Sequence, residues 1–168
     1  MNKLSQVKDL QLSVKMTKGD LESLSKMTNL EDLTINRLDM DDPLRECTKL
    51  TNLRSLRLSS ELSLSDGLKH LSTLPTLKQL DLNTPDAKDV LNKLANLKQL
   101  EKLKLKGSDL SDKELTVLPE LKLPKLKELR FDDLPRHLKG KPIERLKKSL
   151  PDVDIHFDVH KMEFGMYG

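Results

Sequence analysis

Lys102, Lys104 and Lys106 alternate with Leu103 and Leu105, so on an extended chain three ammonium groups share one face and the leucines take the other. A row of this kind holds anions, either a partner's carboxylates or a phosphate backbone. His156, Asp158 and His160 alternate in the same way near the C-terminal end. Imidazole and carboxylate two residues apart can share a zinc or nickel ion. The simpler reading is a charged edge strand that discourages a second copy from adding to it, and no metal site is expected. A second basic group, Arg136, His137, Lys139, Lys141, Arg145, Lys147 and Lys148, has Glu144 as its one acidic residue in that stretch. Ile143, Leu146 and Leu150 hold the inward spacing there, so the charges read as the solvated side of a final helix. Cys47 stands at leucine-type spacing with Leu44, Leu50 and Leu53, the setting of a buried small hydrophobe.

What positions these groups is a hexad, L-x-x-L-x-L. Its copies are Val7/Leu10/Leu12, Leu30/Leu33/Ile35, Leu53/Leu56/Leu58, Leu77/Leu80/Leu82, Leu100/Leu103/Leu105, Leu126/Leu129/Phe131 and Leu150/Val153/Ile155. Middle positions recur at steps of 23, 23, 24, 23, 26 and 24 residues. A fixed period in this range marks units that cannot bury an apolar face alone and stack on their neighbours. The last two aliphatic positions of each hexad lie two apart, which predicts one short strand per unit. Helix-start signals follow: Thr17 with Asp20, Asp42 before Pro43, Ser65 with Asp66, Thr84-Pro85-Asp86, Ser111 with Glu114, and Pro142. Leucines three or four apart come next, as in Leu68/Leu71/Leu74 and Val90/Leu91/Leu94/Leu97. Strand, short helix and strand in constant register predict parallel strands with right-handed crossovers.

These hexads resemble the leucine-rich repeat family over essentially the whole chain. The resemblance implies an α/β fold: a right-handed solenoid shaped as a horseshoe or arc, with about seven parallel strands on the concave face and short helices on the convex one. One domain is expected over residues 1–168, with repeats in 1–150 and an edge strand and tail in 151–168. The family places asparagine or cysteine three residues after the last hexad leucine. Here those positions hold Lys15, Leu38, Glu61, Pro85, Ser108, Leu134 and Asp158, so the set is divergent and its loops are expected to be irregular.

With 38 leucines against four aromatic residues, leucine must build the core. No charged-then-apolar leader opens the sequence, no apolar run reaches bilayer length, and a lone cysteine cannot form an internal bridge. A reducing cytoplasmic compartment is the expectation, and a bacterial effector injected into a host cell is the alternative with the same signature. Phosphate-loop, nucleophile-elbow, C-x-x-C and H-E-x-x-H signatures are missing, so a non-catalytic protein without cofactors is expected.

Function in such an array belongs to the polar side of the strands. From the hexad phase the candidate partner-binding residues are Arg57, Asp81, Asn83, Lys102, Lys104, Lys106, Arg130 and Asp132. The expected activity is a scaffold or adaptor that binds another protein, through a contact segment rich in acid. Small-molecule substrates are not expected. Nucleic acid and membrane are weaker alternatives through the terminal basic helix, since the net charge is only +3 and no aromatic platform is present there. Charge reversal of the three lysines to glutamate is expected to abolish partner capture and to leave thermal stability nearly intact.

Overall fold

The computed structural model describes residues 6–38, 40, 42–106 and 109–158. Seven strands, β1 (Asp9–Leu12), β2 (Asp32–Leu38), β3 (Ser55–Ser60), β4 (Gln79–Asn83), β5 (Lys102–Lys106), β6 (Glu128–Asp132) and β7 (Asp154–Phe157), form one sheet in chain order. All neighbours pair in parallel. Among the described residues six short α-helices intervene: α1 (Lys18–Leu24), α2 (Leu44–Cys47), α3 (Leu68–Leu71), α4 (Ala87–Lys93), α5 (Asp112–Val117) and α6 (Lys141–Ser149). The fold is thus α/β, with a seven-stranded parallel sheet.

Register follows the hexads through six strands: Leu10, Leu33, Leu56, Leu80, Leu103 and Leu129 lie side by side. The seventh departs from the sequence reading. Ile155, not Val153, pairs with Leu129, so the final step is two residues longer than the hexad count. The reason lies in the entry turn. Earlier strands begin with a fork of two N–H groups on one carbonyl, as when Glu31 and Asp32 donate to the Lys8 oxygen at 2.7 and 2.9 Å. At β7 only Asp154 donates to the Lys127 oxygen, and the Val153 N–H closes a turn on Leu150 instead. A slip of two residues preserves which face each side chain takes. It shifts Asp154, His156 and Asp158 one place along the outer rows.

The inward residues and the helix leucines make one continuous cluster running from Met16 to Ile155. Leu33, Leu56, Leu80, Leu103 and Leu129 are at most 1 % exposed, whereas Leu10 and Leu12 on the edge strand are half-buried. Burying each such side chain stabilises by about 1.5–3 kcal/mol relative to exposure. Leu68, Leu71, Leu74, Val90, Leu91, Leu94 and Leu97 are all buried against the same cluster, as their spacing requires. Cys47 is there too, with its thiol directed at the Pro43 oxygen. Burial, with a smaller contribution from Glu46, pushes that thiol up to about 12 and keeps it protonated.

Two of the expected helix starts are complete capping boxes, Thr17 with Asp20 and Ser111 with Glu114. The Thr84-Pro85-Asp86 signal works differently. Asp86 makes no cap on its own helix. It reaches across to the previous repeat and accepts from Ser63 Oγ, from the Leu64 N–H at 3.3 Å and from the Ser65 N–H at 3.1 Å, and also from Thr84 Oγ1. Partial burial pushes its carboxyl up, but these hydrogen bonds outweigh burial and hold it below the ordinary aspartate value.

Carbonyls of the turn that enters an earlier strand are met by the residue just before a later hexad. Asn52 Nδ2 donates to the Thr28 oxygen at 2.9 Å, Thr76 Oγ1 to the Thr51 and Leu53 oxygens at 2.9 and 2.8 Å, and Gln99 Nε2 to the Leu71 and Leu74 oxygens at 3.3 and 3.0 Å. Loop irregularity is visible as left-handed backbone at Asp42, Lys122 and Asp133. Gly67 is required by a close approach, since a Cβ there would lie 2.9 Å from Leu44 Cβ.

Among the described residues no helix is long and apolar enough to cross a membrane. Leu4, Gly107, His160 and the tail 161–168 lie outside the described residues.

Candidate functional site

Because the leucines of each strand point into the core, the residues between them are driven to the opposite face. All eight candidate residues lie on or at the margin of that face, on four adjacent strands: Arg57 on β3, Asp81 and Asn83 on β4, Lys102, Lys104 and Lys106 on β5, Arg130 and Asp132 on β6. Pairing puts Arg57 beside Asp81, Asp81 beside Lys104, Lys104 beside Arg130, and Lys106 beside Asp132.

What the pairing creates is not an open cationic row. Arg57 Nε is 2.8 Å from Asp81, and its Nη1 reaches Thr34 Oγ1 at 3.5 Å. Lys104 Nζ lies 2.7 Å from Asp132 and 3.8 Å from Asp81. Lys102 pairs with Glu128 at 2.7 Å and Lys106 with Asp133 at 3.3 Å. Arg130 binds Asp132 through Nε at 3.0 Å and Asp158 through Nη2. Within this cluster five cations meet five carboxylates, so these ten groups carry no net charge.

The titration behaviour agrees. Partial burial pushes the Asp132 carboxyl up, but hydrogen bonds from Lys104 and Arg130 outweigh it and leave the group below its ordinary value. The hydrogen bond to Asp132 and its charge, then the charge of Asp158, hold the Arg130 guanidinium above its ordinary range. Glu128 does the same for Lys102. One consequence concerns the charge-reversal experiment. Glutamates at 102, 104 and 106 would stand opposite Glu128, Asp132 and Asp133, and like charges across strands destabilise a sheet. Glutamine at the three positions removes the cations without that repulsion.

Three members were not in the sequence-derived set. Glu128 alternates outward on β6 and Asp158 continues the alternation one residue past β7, so the period-two pattern contained them. Asp133 lies just past β6 with a left-handed backbone, φ 54°, and nothing in the alternation marks it.

Below this surface, at the strand entrances, runs a second ladder. Glu31 lies between Lys8 and Arg54 at 2.7 and 3.2 Å, and Glu101 between Lys78 and Lys127 at 2.9 Å each. Hydrogen bonds from Lys78 and Lys127 lower the Glu101 carboxyl to about 2. Its folded value lies below the unfolded one, so its stabilising effect is complete above the ordinary value of 4.5 and is lost as pH falls through about 2. Carboxyl-carbon NMR should place the Glu101 midpoint near 2, and Lys78→Met with Lys127→Met should return it toward 4.5. An unshifted wild-type midpoint would contradict the ladder.

The C-terminal groups are engaged elsewhere. Asp158 is held by Arg130, and His156 Nε2 lies 2.9 Å from Asp154. No cluster of three metal-ligating side chains exists among the described residues. In the basic stretch, Arg145 binds Asp112 of α5 at 2.6 Å, Lys147 Nζ stands 5.7 Å from the Phe157 ring centre, and the Lys139 ammonium nitrogen is buried with no hydrogen-bond partner among the described residues. Comparison with known proteins returns no matching family model and no matching curated protein.

Proposed function

We propose that this chain is a leucine-rich repeat solenoid, and that it works as a non-catalytic scaffold that binds another protein with the polar face of its strands. The observation that carries the reading is the outer face of β3 to β6, where long charged side chains from four strands are held side by side by mutual ion pairs. Ordered side chains lose less freedom on binding, which favours recognition over simple solubility. Charge contacts of this type set specificity and association rate more than affinity, so binding is weak and sensitive to salt. A single cysteine forms no internal disulfide, which suits a reducing compartment such as the cytoplasm.

The test is a low-salt capture experiment comparing wild type with the variant carrying Lys102→Gln, Lys104→Gln and Lys106→Gln. A specific partner should be lost from the variant while its melting temperature stays within a few degrees of wild type. Retention of every partner would dismiss this surface.

A further inference from the structure

We infer that the rim formed by the strand entrances is a second contact surface, and that it takes an acidic segment of a partner protein, centred on Arg54 and Lys78. Backbone hydrogen bonds fix the order of residues along this rim. The Lys8 oxygen accepts from the Glu31 N–H, Glu31 from Arg54, Arg54 from Lys78, Lys78 from Glu101 and Glu101 from Lys127, at 2.7 to 2.8 Å. The signs therefore run plus, minus, plus, plus, minus, plus. Glu31 serves Lys8 and Arg54, Glu101 serves Lys78 and Lys127, and the two triplets abut at Arg54 and Lys78 with no carboxylate between them.

Four cations share two carboxylates, a surplus of two positive charges, whereas the ten-group cluster on the outer strand face has none. Depth adds to the imbalance. The cationic side chains are 52 to 73 % exposed, and those of Glu31 and Glu101 only 27 and 22 %. A ligand arriving from water meets the ammonium and guanidinium groups first.

Arg54 approaches Glu31 through Nε at 3.2 Å, which leaves the terminal nitrogens of its planar group for a ligand carboxylate. Lys78 adds a point charge on the next strand. Beside them Lys8, Glu31 and Arg54 share a depression of about 460 Å³ with Asn29, Asn52 and Thr76, which gives an incoming chain room to settle. A phosphate backbone is the poorer fit. Glu31 and Glu101 interrupt the row, and none of the residues lining the depression is aromatic, so a base has nothing to stack on. Separate carboxylates on a peptide can stand over the cations and leave the glutamates uncontacted.

The experiment titrates isotope-labelled protein at low salt with a short peptide of alternating Glu and Ser, the same peptide with Gln for Glu, and an oligothymidylate of equal charge. Amide shifts caused by the Glu peptide should centre on Arg54, Lys78 and Gln79 and vanish at high salt, and the Gln peptide should cause none. Arg54→Gln with Lys78→Gln should weaken binding about tenfold. Glu31→Gln with Glu101→Gln should strengthen it, an opposite response that loss of folding cannot produce. Replacing Lys102, Lys104 and Lys106 with glutamine should leave it unchanged, so this rim and the strand face are tested separately. Shifts centred on β5, equal binding of the Gln peptide, tighter binding of the oligothymidylate, or no binding of the Glu peptide overturns the inference. Shifts of the same amides on concentrating the protein alone would assign the rim to a second copy of the chain and overturn it as well.

Discussion

Replacing Leu103 with aspartate should abolish the cooperative unfolding transition at room temperature. Leu103 is 1 % exposed at the centre of the sheet and lies in register with Leu80 on one side and Leu129 on the other. Removing the buried side chain alone costs about 2–5 kcal/mol. Placing a carboxylate there adds several kcal/mol, either as desolvation of the charge or as the cost of protonating it. A chain of this kind has about 5–15 kcal/mol of stability in all, so the two effects together consume it. β5 pairs only with β4 and β6, and both contacts fail at once. Leu10→Asp is the internal comparison. Leu10 is half-buried on an edge strand with one neighbour, so its replacement should fray β1 and leave the transition in place. The milder Leu103→Ala should lower the melting temperature by about 10 °C, taking about 3 kcal/mol and about 3 °C per kcal/mol. A cooperative Leu103→Asp protein melting close to wild type would refute the continuous core.

Asp86→Ala should be the most damaging polar substitution, at about 2 kcal/mol. One carboxylate accepts from two hydroxyls and two backbone N–H groups across two consecutive repeats. Thr84 and Ser65 are 3 % and 4 % exposed, so water cannot readily replace it. Asp86→Asn should recover only part of the loss. Whichever way the amide is turned, its NH2 faces a backbone N–H, since Leu64 uses one carboxylate oxygen and Ser65 the other. The folded carboxyl titrates below the ordinary value of 3.8, so this stabilisation is present above that value and disappears as pH falls through the folded one. Urea unfolding measures the total, and hydrogen exchange localises it: the Leu64 and Ser65 amides should lose protection while amides of β4 and β5 keep theirs. A change below about 0.5 kcal/mol, the size of an ordinary surface substitution, would show that the cluster is incidental.

Much of this was legible in the residues. The hexads place seven strands, and the alternation within each assigns side chains to the core or to the outside, except past Ile35, where a shift of register buries Leu38 and leaves Arg37 exposed. Thr17 with Asp20 and Ser111 with Glu114 announce their helices, because a capping box is complete within four residues. The Thr84-Pro85-Asp86 signal looks the same in sequence, yet Asp86 serves a loop 21 to 23 residues earlier. Spacing of that order carries no local mark. Asn52, Thr76 and Gln99 stand one residue before the hexad, where a polar side chain has no reason to be noticed until the preceding turn is brought against it.

Alone, then, the linear order of residues determined which groups are buried and which face outward, since strand periodicity is a property of one chain segment. Only the folded sheet decided that Lys102, Lys104 and Lys106 meet Glu128, Asp132 and Asp133, and that Ile155 takes the place counted for Val153. The physical reason is that register between strands is set by turn geometry and by packing between segments more than twenty residues apart. A charge learns its neighbour only after those segments are side by side.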